Sequence, residues 1–216
     1  MKLHSHADAL VILLHGVGSN GQNMMALADG WRPSLPGVVF VGPDAPFAFE
    51  GGHGRQWFSI AGVTDRNRSQ RIEAARQDFD RVIRMQIERH GFEDRLDRVV
   101  FVGFSQGSMM LLDAVVSGRW PVAAGIAFSG RLASPPPFEP SRGTKVLLIH
   151  GASDGVVPAT ETVQAAATLR ACGLRTRRKI NASIGKSITP VPNGFMTTNR
   201  SVYFASSPHR RKPPLS

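Results

Sequence analysis

One cysteine, Cys172, stands in 216 residues, so no internal disulfide can form. Such sparse cysteine fits a reducing compartment, and the cytoplasm is the expected location. Cys172 itself, near a helix end, is expected to be a structural thiol rather than a nucleophile. Long apolar runs are missing too. No stretch approaches the roughly 20 residues that cross a bilayer as a helix, and no transmembrane segment is expected. Met1-Lys2-Leu3-His4-Ser5-His6 contains no apolar core of a secretion signal. The histidines show no metal-ligand spacing, so neither a metal nor any other cofactor is expected.

Acidic charge is absent from the last quarter. Residues 1–161 carry 16 basic and 16 acidic residues, whereas residues 162–216 carry 10 basic and none acidic. The net charge of +10 is therefore local to one end. A basic end attracts phosphate polymers without sequence preference. It lacks interleaved aromatics or a known nucleic-acid motif, so nucleic acid is not an expected partner.

What is present is the pattern of a single domain with an ordinary core, at 42% hydrophobic residues. Unbroken apolar runs at residues 10–14, 38–41, 99–102, 122–128 and 146–149 predict buried strands. Helices are predicted over 23–31, from Asn67 as cap to about His90, over 106–116 and over 160–171. In the second of these, Ile72, Ala75, Phe79, Val82, Ile83 and Ile87 recur at helical spacing. Residues 44–66 read as a long loop. Fully apolar strands alternating with helices predict a mostly parallel central sheet covered by helices on both faces. Functional residues then belong beyond the carboxyl ends of the strands.

The richest motif is Gly103-Phe104-Ser105-Gln106-Gly107, between the apolar run Val99-Val100-Phe101-Val102 and a helical Ser108-Met109-Met110-Leu111-Leu112. Strand, sharp turn and helix with serine at the turn form the nucleophile elbow of α/β-hydrolases. Ser105 is the expected nucleophile. A serine hydroxyl reacts only when a base, normally histidine, takes its proton and a third group orients that base. An oxyanion hole needs two converging N–H groups. Gln106, the residue after the nucleophile, offers one. The glycine-rich loop His15-Gly16-Val17-Gly18 offers the other, from Val17; the His15 side chain is expected to stabilise that loop. The acid should follow the nucleophile in chain order. Asp154 does so, in the loop His150-Gly151-Ala152-Ser153-Asp154-Gly155-Val156-Val157-Pro158 after a buried strand. His150 is expected to be structural.

The stretches Leu14-His15-Gly16-Val17-Gly18, Gly54-Arg55-Gln56-Trp57-Phe58, Gly103-Phe104-Ser105-Gln106-Gly107-Ser108-Met109 and His150-Gly151-Ala152-Ser153-Asp154 stand in a specific order. Over roughly residues 8–180 the chain resembles the small bacterial carboxylesterase/phospholipase family of serine esterases, which includes the acyl-protein thioesterases. The resemblance implies an α/β-hydrolase domain over 1–180 and a carboxylic-ester hydrolase working through an acyl-enzyme. It implies Ser105 as nucleophile, Asp154 as triad acid, and Val17 and Gln106 as oxyanion donors. It also implies that Trp57 and Phe58 line a substrate pocket, although as residue types they suit the core equally. A small acyl ester or lysophospholipid-like substrate and a homodimer are the expected partners.

The pattern breaks at the end. The family's catalytic histidine lies in a Gly-His segment, and here Gly185 is followed by Lys186. A lysine is protonated at neutral pH and lacks the two-sided ring that bridges nucleophile and acid. The family's long C-terminal helix is also unmatched. Residues 181–216 form a basic segment rich in Pro and Ser, interrupted by Pro190, Pro192, Pro208, Pro213 and Pro214. An altered reading frame over this stretch would produce that combination. His209 and His53 are the weak remaining candidates for a base. The chain is expected to be an impaired esterase or, alternatively, an inactive ligand-binding or interaction protein on the same scaffold.

Overall fold

In the computed structural model, which describes residues 7–182, the expected alternation of strand and helix is present. Along the chain run β1 (Ala9–Leu14), α1 (Gly21–Trp31), β2 (Val38–Val41), β3 (Phe47–Ala48), β4 (Arg55–Gln56) and α2 (Arg68–His90). Then follow β5 (Val99–Phe104), α3 (Gln106–Val116), β6 (Ala124–Phe128), β7 (Lys145–Gly151), α4 (Ala159–Ala171) and β8 (Arg175–Asn181). Six strands pair in the order β2-β1-β5-β6-β7-β8, every neighbour parallel. This is the α/β-hydrolase fold. Parallel pairing brings the carboxyl ends of β1, β5, β6 and β7 to one edge, where their following loops meet.

The register sorts side chains between two faces. Leu10, Ile12, Leu14, Val99, Phe101, Val146 and Leu148 join one core with the apolar stripes of α2, α3 and α4. Val11, Leu13, Phe40 and Val102 join a second, smaller core with Met24 and Ala28 of α1. Close packing on the first face needs small residues. A side chain on Gly125 would meet Leu111 of α3 at 2.8 Å, so β6 gives α3 room to sit on the sheet.

α2 is fixed to α3 by charge as well as by apolar contact. Asp113 of α3 is wholly buried and accepts from Arg76 Nε and Nη2 at 3.0 and 2.9 Å and from Arg119 Nη1 at 2.9 Å. Arg119 also pairs with Asp80 at 3.0 Å, and Asp80 accepts from Trp120 Nε1 at 2.7 Å. Arg76 of α2 thus neutralises a buried carboxylate. With its charge so paired, the Arg76 guanidinium is held above its ordinary range by the hydrogen bond to Asp113.

Two local expectations are adjusted. Asn67 takes the N-cap position of α2, as expected, but its side chain caps no helix N–H: it accepts from Thr64 N–H at 2.7 Å and donates to Gly62 carbonyl at 3.0 Å, closing the preceding turn. The loop over 44–66 contains the small antiparallel pair β3–β4. β8 was invisible to an apolar-run criterion, because Arg175-Thr176-Arg177-Arg178-Lys179-Ile180-Asn181 buries little beyond Thr176. Among the described residues it is an edge strand, and a charged edge resists further strand addition.

Candidate active site

The turn from β5 into α3 is tight because two glycines allow it. A side chain on Gly103 would meet the Gly107 backbone at 2.7 Å, and one on Gly107 would meet the Leu14 carbonyl at 2.3 Å. Between them Ser105 takes φ 49° and ψ −113°, a sparsely populated region for a residue with a Cβ. The surroundings over-determine it. Ser105 N–H donates to Phe128 carbonyl at 2.9 Å, and Ser105 carbonyl accepts from Met109 N–H at 3.1 Å. Ser108 hydroxyl lies 2.7 Å from the Gly103 carbonyl and 2.8 Å from that of Phe128. Ser105 is half-buried at the head of α3, where the positive end of the helix faces a developing negative charge.

The loop after β1 lies against this turn. A Cβ on Gly16 would stand 3.4 Å from Ser105 Cβ and 3.1 Å from the Phe104 ring. The loop is held by His15, wholly buried, whose Nδ1 lies 2.7 Å from Gly16 carbonyl and whose Nε2 accepts from Ala45 N–H at 2.9 Å. With Nε2 accepting, Nδ1 carries the proton and the ring is neutral. Burial pulls the His15 pKa below its ordinary value, against opposing help from the Gly16 carbonyl and Asp44. Gly18 and Ser19 pair with Arg55 across the loop at 2.9 and 2.8 Å.

Trp57 and Phe58 are core residues. They are 1% and 5% exposed, and Trp57 packs edge-on against Phe79 with centroids 5.3 Å apart. Trp57 Nε1 donates to His15 carbonyl at 2.9 Å. The Gln106 side chain accepts from Trp57 N–H at 2.8 Å and donates to Phe58 carbonyl at 2.7 Å. Their visible work is to tie this segment to the elbow and to the loop after β1. That connection was not legible in the sequence, because nothing in residue type distinguishes a tying glutamine from a surface one.

Asp154 sits in the loop after β7, as its motif predicted. Its Oδ1 accepts from Val156 and Val157 N–H at 2.9 and 3.0 Å. Burial pushes its pKa up, but those two bonds, a hydrogen bond from Ser129 and the nearby His150 together outweigh burial and hold the carboxyl below its ordinary range. Asp154 is therefore a carboxylate at neutral pH. Ser129, missed in the sequence, is itself unusual: a buried serine with φ 48°. The next residue, Gly130, is packed against the elbow, where a Cβ would stand 2.4 Å from Ser108 Cβ and 3.6 Å from Ser105 carbonyl oxygen. The end of β6 thus links the acid to the nucleophile turn.

Among the described residues the two buried histidines, His15 and His150, are committed elsewhere. His150 Nε2 lies 2.8 Å from Val157 carbonyl and 3.5 Å from Asp154 Oδ2, while Nδ1 lies 2.6 Å from Thr162 hydroxyl. His53 is exposed in the bend between β3 and β4. Lys186 and His209 lie outside the described residues.

The chain is similar to known proteins in sequence and in fold. A family model described as Phospholipase/Carboxylesterase matches residues 2–198. Esterase YpfH of Escherichia coli is 31% identical over 199 residues, covering 92% of this chain and 81% of that protein. Acyl-protein thioesterase 1 of Gibberella zeae is 28% identical over 206 residues, covering 86% of each. The crystal structure of esterase PE8 aligns with TM-score 0.71 at 33% identity, over 84% of this chain and 86% of that one. A carboxylesterase from Mesorhizobium loti aligns with TM-score 0.67 at 21% identity, over 83% and 82%, and attests the fold alone.

Proposed function

The chain belongs to the phospholipase/carboxylesterase family, and on that premise we propose that it is a serine carboxylic-ester hydrolase of low competence. Ser105 is its nucleophile and Asp154 its acid. The N–H groups of Val17 and Gln106 receive the oxyanion. Support for Ser105 comes from its strained turn at the head of α3, with the loop after β1 packed against it. In the full reaction the hydroxyl oxygen attacks the ester carbonyl, the alcohol leaves, and water releases the acid from the acyl-enzyme. A small acyl ester or a lysophospholipid-like molecule is the substrate class. Trp57 and Phe58 shape the wall behind the pocket rather than its open surface.

Low competence rests on the base. His15 and His150 use both ring nitrogens away from Ser105, and lysine stands at position 186. The same observation favours a second reading, a binding protein that keeps the oxyanion cradle without turnover. Hydrolysis of p-nitrophenyl butyrate, compared with Ser105→Ala across pH, separates the two. The expected rate without additive is slow, because the roughly 10³–10⁴-fold over water that survives loss of a triad member comes from the oxyanion hole and binding, which Ser105→Ala keeps. Added imidazole, standing in for the base, should raise the rate further in the parent than in the alanine variant, and that difference is the Ser105-dependent turnover. Identical rates for parent and Ser105→Ala, with and without imidazole, would sink the hydrolase reading.

A further inference from the structure

The loop after β6 carries a sheltered cation that the reaction above does not use. Arg131 follows Gly130, where an added Cβ would stand 3.6 Å from the Ser105 carbonyl oxygen. It comes two residues after Ser129, which bonds to Asp154. Its Cα is one residue, about 3.8 Å, beyond Gly130. Arg131 therefore starts at the rim between the nucleophile turn and the acid loop. Its side chain is 14% exposed and meets Asp65 Oδ1, just before α2, and Glu161 Oε1, in the first turn of α4.

Both contacts are made by Nη1 alone, each at 3.4 Å. Nε is shielded from solvent and bonds to nothing. Among the described residues Nη2 has no partner either. Other half-buried arginines of this molecule behave differently. Arg55 donates from Nε and Nη2 to the carbonyls of Ala45 and Pro46 at 2.8 and 2.7 Å. Arg76 and Arg119, more open than Arg131 at 23% and 20% exposure, each set the Nε–Nη2 edge against a carboxylate. Arg131 is the more sheltered and keeps that edge empty. Ser134 Oγ, three residues on, is a second buried polar atom without a partner. Buried polar atoms are normally completed, and these two lack only an acceptor.

Charge and shape select the acceptor. Asp65 also takes a hydrogen bond from Arg68, so two arginines face two carboxylates and cancel. The starts of α2 and α4, both without a side-chain cap, add their positive ends. A guanidinium edge matches two oxygens of one carboxylate or phosphate. Residues 183–216 hold no acidic side chain to fill it. We propose that Arg131 is a specificity-determining residue: its Nε–Nη2 edge, with Ser134 Oγ, binds a second, free anionic group on an ester held at Ser105. The substrate class narrows to acidic esters, either half-esters of dicarboxylic acids or esters that carry a phosphate. The placement of the ester rests on Ser105 as nucleophile; anion binding itself needs no turnover.

The probes are monomethyl adipate, butyl phosphate and, as the neutral match, dimethyl adipate. Each is titrated into the full chain carrying Ser105→Ala. Proton–nitrogen NMR follows the Arg131 Nε–H resonance, assigned by its loss in Arg131→Lys. The monoester or the phosphate should bind, weaken with salt and shift that resonance, and the diester should not. The tighter of the two anions names the group. Arg131→Gln should weaken binding by roughly tenfold or more. Arg131→Lys should fall between, because an ammonium keeps the charge without the fork. In the imidazole-supplemented assay, the p-nitrophenyl monoester of adipic acid should be preferred to p-nitrophenyl butyrate through a lower KM. Arg131→Gln should cut that preference in kcat/KM by roughly tenfold or more. Anion binding through Arg131 in a chain that hydrolyses neither ester would end the hydrolase reading and keep the anion site. Equal binding of monoester and diester, or binding of neither anion, overturns the proposal. So does an Arg131→Gln loss that is the same for both nitrophenyl esters, which would make Arg131 a strut between α2 and α4.

Discussion

Replacing Ser105 by glycine should stabilise the protein while removing its nucleophile. The residue holds φ 49° and ψ −113°, and such a conformation costs about 1–3 kcal/mol when a Cβ is present. Glycine relieves that cost but loses more entropy on folding, roughly 0.5–1 kcal/mol. The balance is a gain of about 0–2.5 kcal/mol, centred above zero. Alanine keeps the Cβ and hence the strain, so the comparison of Ser105→Gly with Ser105→Ala isolates the backbone. In a domain of this size each kcal/mol moves the melting midpoint by about 2–4 °C. Urea unfolding followed by tryptophan fluorescence, with thermal melts beside it, measures the difference. Neither variant hydrolyses ester through residue 105, so a stability gain in glycine alone marks strain retained for function. A glycine variant no more stable than the alanine variant would refute the claim that the turn is strained.

Asp113→Ala should lose about 3–5 kcal/mol in urea unfolding, because Arg76 and Arg119 are left without their buried carboxylate; a loss under about 1 kcal/mol would show the pair to be weakly coupled. Burial depresses the His15 pKa in the folded state, so the unfolded chain binds the extra proton. Stability should therefore fall as pH drops below the ordinary histidine value of 6.5, and His15→Gln should flatten that part of the stability–pH curve. Asp154 is depressed in the folded state, so it contributes stability that is complete above 3.8 and fades as pH falls through its lower folded value. Asp154→Asn should remove that acid limb, read from melting midpoints between mildly acidic and strongly acidic buffers.

Much of this architecture was written in apolar runs. β1, β2, β5 and β7 are nearly continuous in Val, Ile, Leu and Phe; β1 is buried on both faces, whereas β2, β5 and β7 keep half-buried positions. Position in chain order then placed the Ser105 turn and the Asp154 loop at the same sheet edge. What stayed hidden were features set by tertiary context. β8 is held by pairing with β7 and by α4, so its side chains need no hydrophobicity. Ser129 bonds to Asp154 only because parallel pairing of β6 with β7 brings their ends together. Asn67 had two local turns to choose from, and the one before α2 won. Trp57 and Phe58 were ambiguous because a core wall and a pocket wall ask for the same residues.

The Gln106 side chain has a consequence for how this site can change. Its amide meets Trp57 N–H and Phe58 carbonyl as a neighbouring strand would, while its own main chain begins α3 beside Ser105. Backbone geometry at the nucleophile is therefore mechanically coupled to a segment far away in sequence. Insertions in the bend over 49–54 can be absorbed, but a shift at Trp57 is transmitted to the elbow through the Gln106 amide and, by way of His15 carbonyl, to the loop packed beside it. New specificities on this scaffold should accordingly arise on the outer side of that clamp, where loops vary without dragging the reacting oxygen with them.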